Sequence, residues 1–357
     1  MKIIKEIFRF LLKLQYLNVN PLTDEKYTIW KNAKCICLFA TAGIGDAVMA
    51  TPLIEAIRTI KPEARIIIIA LKTTQEVFCN IPAVSKVYLE AVPNNIVTTI
   101  KLIHQLRDEI IDVLFACLPS DLMKLSFLVS KARPKLSLKH LGNYINENFR
   151  NLDFVYSHLL PYDLGRHRTE LNLDFLRFLG EEIPNDVYYP KIFINEALRK
   201  RTSQKIYSIL KNETDFIAIH AGGLLEYKHW DWKKYAAICQ IIERHGYKIV
   251  LVGGIKEIEV NSKIVKLVGN NNVINFAGTL NLQETAVLLA HAKLLISNDT
   301  GIMHVAAAIN TPVIAIFGPT DPRHIGPRGK SIHIIKKEKD INLISIEDVA
   351  REIERYV

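Results

Sequence analysis

A glycine-rich turn that carries a carboxylate lies near the start of the chain. Gly43 and Gly45 precede Asp46, after the apolar run Cys35–Phe39 and before a helix-like segment that extends to about Ile60. Glycine turns between a strand and a helix usually bind phosphate, yet a carboxylate repels an anion. The pattern leaves two interpretations: Asp46 caps the helix, or it is a catalytic acid or base beside a bound substrate.

A second turn follows a predicted strand in the C-terminal half. The strand Phe216–His220 is followed by Gly222 and Gly223, which would expose their backbone amides. Lys228 comes shortly afterwards, before the next predicted helix. Exposed amides and a lysine are groups that bind a diphosphate. A solvated surface lysine is the alternative interpretation.

A third turn, Asp299-Thr300-Gly301, lies between the predicted strand Leu294–Ser297 and a helix. The N-terminus of that helix offers unpaired N–H groups and a partial positive charge to an anion. His304 follows in the first turn or so of the helix. Taken alone, Asp299 is equally well a helix cap, and His304 a histidine with a local partner.

A dinucleotide site is a weaker interpretation of the first turn. Such a site needs a third glycine near Val48 and an acidic residue after the second strand. The second strand instead continues through Leu71 to Lys72. Lys72 can bind a 2′-phosphate, so an oxidoreductase stays open as an alternative.

Predicted strands alternate with helices along most of the chain, which indicates parallel α/β layers. The predicted strands are Cys35–Phe39, Arg65–Ala70, Lys86–Leu89, Val113–Cys117, Phe216–His220, Lys248–Val252, Val273–Phe276, Leu294–Ser297 and Val313–Phe317. The predicted helices include Asp46–Ile60, Ile96–Arg107, Asp121–Ser130, Glu170–Leu179, Asn195–Leu210 and Ser345–Val357. We predict an irregular region at Lys131–Arg168 and a linker at Glu181–Phe193. Two similar α/β halves with a cleft between them are the simplest architecture.

Composition limits the class of partner. The 357 residues carry a formal net charge of +9, which favours an acidic partner or serves solubility alone. The sequence contains neither a dense basic block nor a nucleic-acid-binding signature, so we expect no nucleic acid partner. The five cysteines lie mostly in apolar runs. They predict free thiols rather than a disulfide framework or a zinc site.

The N-terminal stretch has the pattern of a cationic amphipathic helix. Apolar residues from Ile4 to Leu14 recur at helical spacing with Lys5, Arg9 and Lys13 between them. Such a helix binds a membrane interface, and a helix packed on the domain is the alternative. The stretch is too charged for a signal peptide and too short to span a bilayer. We therefore expect a cytoplasmic chain, with peripheral contact to the inner membrane as an open alternative.

The motifs also have a characteristic order along the chain. They are Gly43–Asp46 with Thr51 and Pro52, Lys228–Trp230, Val252–Gly254 with Glu257 and Glu259, Ser297–Gly301 with His304, and Phe317–Pro322. Together they resemble glycosyltransferase family 9, whose best-known members are the bacterial lipopolysaccharide heptosyltransferases. The resemblance covers about Lys34 to Ile325.

The resemblance implies a GT-B architecture, two Rossmann-like α/β domains with parallel sheets facing across a cleft. We expect an extension at 1–33, an acceptor domain at 34–185, a sugar-nucleotide domain at 186–340 and a closing helix at 341–357. The implied activity is transfer of heptose from ADP-heptose to a phosphorylated lipopolysaccharide core or lipid A acceptor. Transfer of another nucleotide sugar to another glycan is the alternative. A non-catalytic sugar-nucleotide binding protein is a further alternative from a different class, which the presence of Asp46 disfavours.

The resemblance also assigns roles to residues of the turns. Asp46 matches the family's catalytic base, and Gly43 and Gly45 would let the acceptor sugar approach it. Lys228 matches the lysine that contacts the donor phosphates, and Asp299–Gly301 matches the loop at the diphosphate. An inverting transfer needs a positioned carboxylate to remove the proton of the attacking hydroxyl.

Five further residues belong to the implied donor site. His304 follows the diphosphate loop, and either Glu257 or Glu259 would hold the donor ribose. Gly222 and Gly223 stand where family members often have polar residues, so backbone amides would contact the phosphates instead.

We expect the reaction to need no metal ion and no cofactor. Many glycosyltransferases hold Mg²⁺ or Mn²⁺ with two aspartates separated by one residue, because these ions prefer carboxylate and phosphate oxygens. The chain contains no Asp-x-Asp. Backbone amides, a helix N-terminus and a lysine would then stabilise the leaving diphosphate.

Overall fold

The computed structural model of the protein describes residues 25–89, 96–117, 123–141, 155–211, 215–269 and 272–357. Of these residues, those up to Ala42 and those in Pro52–Tyr188 form one compact unit. Gly43–Thr51 and Tyr189–Val357 form the second unit. The predicted N-terminal amphipathic helix lies outside the described residues. Within them, no helix combines the length and the apolar run that a bilayer crossing requires.

Each unit contains a set of strands and helices that alternate along the chain. The strands of the first unit are β1 Cys35–Ala40, β2 Arg65–Ala70, β3 Val84–Leu89, β4 Val113–Ala116, β5 Leu136–His140 and β6 His158–Leu160. Those of the second are β7 Phe216–His220, β8 Lys248–Leu251, β9 Val273–Asn275, β10 Leu294–Asn298, β11 Val313–Phe317 and β12 Ile332–Lys336. The helices are α1 Glu25–Lys31, α2 Ile44–Ile60, α3 Gln75–Phe78, α4 Ile96–Asp108, α5 Met123–Ala132, α6 Arg168–Phe178, α7 Glu196–Ile209, α8 Trp232–Arg244, α9 Ile258–Val268, α10 Leu282–His291, α11 Gly301–Ala308, α12 Pro322–Ile325 and α13 Ile346–Ile353.

Both sheets are six-stranded and share one topology. The orders are β3-β2-β1-β4-β5-β6 and β12-β11-β10-β7-β8-β9, and the strands pair in parallel. In each sheet the strand order reverses beside a central pair, β1 with β4 and β7 with β10. Open parallel sheets bind ligands beyond the carboxyl ends of the strands at such a reversal. The end of β7 and the end of β10 are therefore the expected place for a ligand in the second unit.

The central strands are apolar because both faces of a parallel sheet are covered. Every residue of β1, β7, β10 and β11 is buried. The covering helices present one apolar face, and α8 buries Tyr235, Ile238 and Ile242 in this way. This pattern is what made the strands predictable, and the predicted strands agree with the observed ones within two residues at either end.

The prediction of an irregular region at Lys131–Arg168 was wrong, since it contains β5 and β6. The sequence of β5 does not have the apolar pattern of a buried strand, because it contains Ser137, Lys139 and His140. All three side chains are nevertheless buried. The ring nitrogens of His140 lie 2.8 Å from the carbonyl oxygen of Pro161 and 2.7 Å from that of Leu171. Such buried pairing offsets the cost of desolvating a polar side chain, and sequence periodicity does not reveal it. The edge strand β12 was also not predicted.

Helix α2 contains a proline in its interior. Pro52 has no N–H to bond the carbonyl of Val48, and the hydroxyl of Thr51 donates to that carbonyl instead, at 2.8 Å. The Thr51 hydroxyl also accepts a bond from the backbone N–H of Lys191 at 3.0 Å. The motif Thr51-Pro52 therefore satisfies a helix carbonyl, and its threonine bonds to Lys191 within the second unit.

The last part of the predicted extension 1–33 is a packed helix. In α1, Trp30 is buried, and its indole N–H donates to the carboxylate of Glu181 at 2.6 Å. The predicted free cysteines are confirmed, since all five are unpaired thiols, four of them buried and Cys79 exposed.

Candidate functional site

Asn298, at the carboxyl end of β10, joins the second and third turns. Its amide nitrogen donates to the carbonyls of Ala221 and Gly222, at 3.2 and 3.1 Å. Its amide oxygen accepts from the backbone N–H of Trp230 at 3.2 Å and from the hydroxyl of Tyr235 at 2.7 Å. Asn298 is fully buried and was not among the predicted site residues. The sequence signal that could have identified it is a polar residue at the end of an apolar strand.

The two glycines of the second turn have no room for a side chain. A Cβ at Gly222 would lie 2.2 Å from Cγ of Glu257. Gly223 has φ +143°, and a Cβ there would lie 2.8 Å from Cγ2 of Thr300. The second turn thus packs directly against Glu257 and the third turn, and this explains why glycine stands at both positions.

Lys228 is held at the third turn by an ion pair. Its ammonium lies 2.6 Å from Oδ2 of Asp299, and the side chains are 15% and 5% exposed. The hydroxyl of Thr320 donates to the same oxygen at 2.6 Å, which gives the Phe317–Pro322 motif a place in the site. Lys228 is therefore a positioned, partly buried cation and not a solvated surface lysine.

The N-terminus of α11 ends the third turn. Its cap residue is Thr300, not Asp299, and the Thr300 side chain makes no capping bond. The Thr300 hydroxyl lies 3.2 Å from Oγ of Ser297 and 3.3 Å from Nδ1 of His220 instead. The side chain that normally satisfies a first-turn N–H is thus turned away, as an anion-binding helix N-terminus requires.

Two buried histidines flank these turns. Burial lowers the pKa of His220 to about 4, with Glu257 acting in the opposite direction and His229 lowering it further. Burial and the nearby Lys228 ammonium lower the pKa of His304 to about 3. Both side chains are therefore neutral at neutral pH. Nδ1 of His304 is buried without a hydrogen-bond partner among the described residues.

The first turn, which belongs to the second unit, lies against the third. A Cβ at Gly45 would lie 2.7 Å from Cδ2 of His304. A Cβ at Gly301 would lie 2.7 Å from Cβ of Ile44 and 3.1 Å from the backbone nitrogen of Gly45. Asp46 follows in the first turn of α2 and is partly exposed. The structure thus brings together motifs that are widely separated in sequence.

The remaining predicted residues differ in their surroundings. Glu257 lies beside the second turn, where one carboxylate oxygen accepts from the N–H of Gly254 at 2.7 Å. Glu259 is exposed on α9 and pairs with Lys263 at 2.6 Å. Gly43 is exposed, and its nearest neighbour, Oδ2 of Asp46, would be 3.6 Å from a Cβ. Of the two glutamates, Glu257 alone adjoins the glycine turn.

Solved structures of similar shape share this pair of sheets. A glycosyl transferase family 9 structure from Veillonella parvula superposes with a TM-score of 0.78 and 22% sequence identity, covering 90% of this chain and 97% of that one. The Escherichia coli ADP-heptose lipopolysaccharide heptosyltransferase II structure gives 0.76 and 21%, covering 90% and 98%. The fold is accordingly GT-B, with two Rossmann-like α/β units, as predicted.

Sequence comparison identifies the family within that fold. The pattern of the family described as glycosyltransferase family 9 (heptosyltransferase) matches residues 100–350, and the chain belongs to that family. Lipopolysaccharide heptosyltransferase 2 of Escherichia coli K12 is 28% identical over 181 residues, which is 50% of this chain and 49% of that protein. The alignment thus spans about half the length of that relative. Lipopolysaccharide heptosyltransferase 1 of Campylobacter coli is 26% identical over 345 residues, 88% of this chain and 97% of that protein.

Proposed function

We propose that this chain is an inverting glycosyltransferase that moves heptose from ADP-heptose to the phosphorylated inner core of lipopolysaccharide. The family and the relatives described above support the reaction class and the donor. Transfer of a different nucleotide sugar to a different glycan is the alternative within the same chemistry. The acceptor is a membrane-bound anion, which suits a chain with a net charge of +9.

One observation carries the assignment of the base. Gly45 lies against Gly301 and His304, at the turn that begins α11. A diphosphate on the N-terminus of α11 would therefore be close to the first turn of α2, where Asp46 lies. A carboxylate next to the donor can accept the proton of an acceptor hydroxyl as that hydroxyl attacks.

The proposed reaction needs no covalent intermediate. The acceptor oxygen bonds to the anomeric carbon from the face opposite the nucleotide, and its proton passes to Asp46. The bond from the anomeric carbon to the diphosphate breaks, and the electron pair leaves with ADP. Lys228, the amides of Gly222 and Gly223, and the N-terminus of α11 stabilise the negative charge that develops on the diphosphate.

The ribose contact is assigned to Glu257 rather than Glu259. Glu257 packs on Gly222, whereas Glu259 points to solvent and pairs with Lys263. A carboxylate beside a phosphate-binding turn can accept bonds from the ribose hydroxyls, as acidic residues do in other Rossmann-like units.

We propose that this transfer requires neither a metal ion nor a cofactor. The ammonium of Lys228 and the helix N-terminus supply positive potential of the kind a divalent cation otherwise supplies. The proposed partners are the nucleotide sugar and the anionic lipopolysaccharide acceptor, met at the cytoplasmic face of the inner membrane.

The test is a transfer assay with ADP-heptose and an inner-core acceptor, followed by mass spectrometry. Asp46→Asn should lower kcat by about two to four powers of ten while leaving ADP affinity within about two-fold. Glu55→Gln, on the same helix α2, is the matched control and should retain parental turnover. Near-parental turnover in Asp46→Asn would refute the base assignment.

The same assay tests the absence of a metal requirement. Excess EDTA should leave the rate unchanged with an acceptor whose phosphates have been removed, because metal bound to those phosphates would otherwise mimic a requirement. Activity that is lost in EDTA and returns only with a divalent ion would overturn the metal-free mechanism. Binding of ADP-heptose without transfer to any acceptor would favour the non-catalytic alternative.

A further inference from the structure

A serine, a histidine and a tyrosine are hydrogen-bonded to one another between α7 and α10. Oγ of Ser203 lies 2.7 Å from Nε2 of His291, and the hydroxyl of Tyr207 lies 2.9 Å from Nδ1 of the same ring. Ser203 and Tyr207 share one face of α7, since residues at this spacing are neighbours on a helix. Helix α7 packs against α10, and His291 is the last residue of α10. We call the three side chains the Ser–His–Tyr cluster.

The imidazole of the cluster is a base at neutral pH. Partial burial lowers the pKa of His291 from its ordinary value, and the positive charge of Arg199 lowers it further. A neutral imidazole has one N–H and one free lone pair, so one hydroxyl donates to the ring and the other accepts from it. Rotation of both hydroxyls exchanges the two tautomers. In the tautomer whose Nδ1–H donates to Tyr207, Nε2 can take the proton of Ser203, as the base does in an activated nucleophile.

A cation lies on the same face of α7 as the serine. Arg199 is one helical turn before Ser203. It pairs with Glu196 at 3.6 Å, but that carboxylate is 87% exposed, so the ion pair is weak. Ser203 and His291 are both partly exposed, and a reagent can therefore reach Oγ from solvent. A guanidinium beside an accessible hydroxyl can stabilise the oxyanion that forms when the hydroxyl attacks a carbonyl group.

A second serine of α7 shows how Ser203 differs from an ordinary helical serine. The hydroxyl of Ser208 donates to the carbonyl of Lys205 in its own helix, at 2.8 Å. Serines inside helices commonly make this local bond. The hydroxyl of Ser203 instead contacts a ring nitrogen of another helix. Ser208 is therefore an internal control for the reactivity of Ser203.

We propose that Ser203 is a nucleophile that takes an acyl group from an activated carboxylic ester, with His291 as its general base. Oγ bonds to the carbonyl carbon while its proton passes to Nε2 of His291. The bond from that carbon to the leaving oxygen then breaks, and the leaving oxygen keeps the electron pair and takes the proton from the imidazolium. The products are an acylated Ser203 and a free alcohol, and no other reactant is consumed.

This activity is separate from the proposed sugar transfer, because neither α7 nor α10 contributes a residue to the proposed donor site. Ser203→Ala should abolish acylation at this position and leave heptosyl transfer at the parental rate. Acylation is measured without any nucleotide sugar, so either proposal can fail while the other holds.

The first experiment treats the full parental chain with p-nitrophenyl acetate at neutral pH and locates the acetyl groups by mass spectrometry of tryptic peptides. Ser203 and Ser208 fall in different peptides, 202–205 and 206–211. Fragmentation of the first peptide distinguishes Ser203 from Thr202. Ser203 should be acetylated at least about 100-fold faster than Ser208, which is a usual contribution of a general base. Equal rates at the two serines would overturn the proposal, and this comparison does not depend on the folding of any variant.

The second experiment removes the base. His291→Gln keeps a side chain that can hydrogen-bond both hydroxyls but cannot take a proton, so it should lower the acetylation rate of Ser203 by about 100-fold or more. His245→Gln, also at the end of a helix, is the matched control and should leave that rate unchanged. A parental rate in His291→Gln would refute the role of the imidazole.

The third experiment tests the two other side chains on this face of α7. Tyr207→Phe should lower the maximal acetylation rate several-fold but leave unchanged the ester concentration that gives half of that rate, because the tyrosine acts only through the imidazole. Arg199→Gln should lower the maximal rate by about ten-fold or more, as loss of an oxyanion partner does. Lys200→Gln, an exposed cation beside it, is the control and should not. Parental rates in Tyr207→Phe and Arg199→Gln would refute the proposed site.

Discussion

The pair formed by Lys228 and Asp299 joins two turns that are far apart in sequence. Because both side chains are mostly buried, removing the cation leaves a carboxylate that has lost its charged partner. The proposed function requires the same ammonium to contact the donor diphosphate. The residue therefore has a structural and a binding role, and an experiment must separate them.

Lys228→Ala should weaken ADP binding by about ten-fold or more, since a hydrogen bond to a charged group contributes roughly 1.5–3 kcal/mol. Titration calorimetry measures this directly. Lys233→Ala, an exposed lysine on α8, is the control and should bind ADP as the parent does. The double variant Lys228→Ala with Asp299→Asn should recover stability but not ADP affinity. If it recovers both, the effect of Lys228 is structural only.

The two candidate ribose ligands form a matched pair. Glu257→Gln should raise the Kd for ADP, because an amide accepts hydrogen bonds from the ribose hydroxyls more weakly than a carboxylate does, whereas Glu259→Gln should leave the Kd unchanged. The Kd of both variants for ADP that is modified at the ribose is the companion measurement. A larger effect from Glu259→Gln would reverse the assignment.

The first and third turns can pack against each other because a glycine stands at the contact point in each of them. Gly45 adjoins His304, and Gly301 adjoins Ile44. This close approach places the first turn of α2 beside the N-terminus of α11. The sequence of neither helix, taken alone, predicts this proximity.

Gly45→Ala should therefore cost about 1–3 kcal/mol of stability, as overpacking a filled site does. Its Cβ would meet the buried ring of His304 at 2.7 Å. Gly43→Ala is the matched control, because its Cβ would have no neighbour closer than 3.6 Å. Chemical unfolding followed by circular dichroism compares the two. Equal stability of both variants would mean that the turns separate readily.

The two buried, neutral histidines of the site make the stability of the folded chain depend on pH in the acid range. The folded chain holds His220 and His304 at pKa values of about 4 and about 3, below the ordinary value. Below about pH 6.5 the unfolded chain therefore binds more protons than the folded one. Stability should fall as the pH drops through that window, to about 4 for His220 and about 3 for His304.

His220→Asn should flatten this dependence. The slope of unfolding free energy against pH should decrease by up to about 1.4 kcal/mol per pH unit between pH 6.5 and 4.5, because one proton-binding difference is removed. Denaturant unfolding at three pH values measures it, with the parent chain as the reference. A slope equal to that of the parent would contradict the buried, neutral state of His220.

The alternation of strands and helices, and the motifs at their junctions, could be predicted from the amino-acid sequence alone. Apolar runs such as Val313–Phe317 are read directly because a covered parallel strand is buried on both faces. Turn motifs are also local, since glycine and aspartate act through backbone conformation and capping. The family resemblance rests on the order of those motifs, which folding does not change.

Which motifs meet, and which polar residues are buried, became visible only in the folded chain. The contact of Gly45 with His304, the ion pair of Lys228 with Asp299 and the four bonds of Asn298 all join distant parts of the chain. The choice between Glu257 and Glu259 also depends on where each side chain points. Periodicity reports only which residues share a face of one element, whereas partners across the fold depend on topology and packing. For that reason β5, whose buried polar residues are paired across the fold, was missed, while the apolar strands were found.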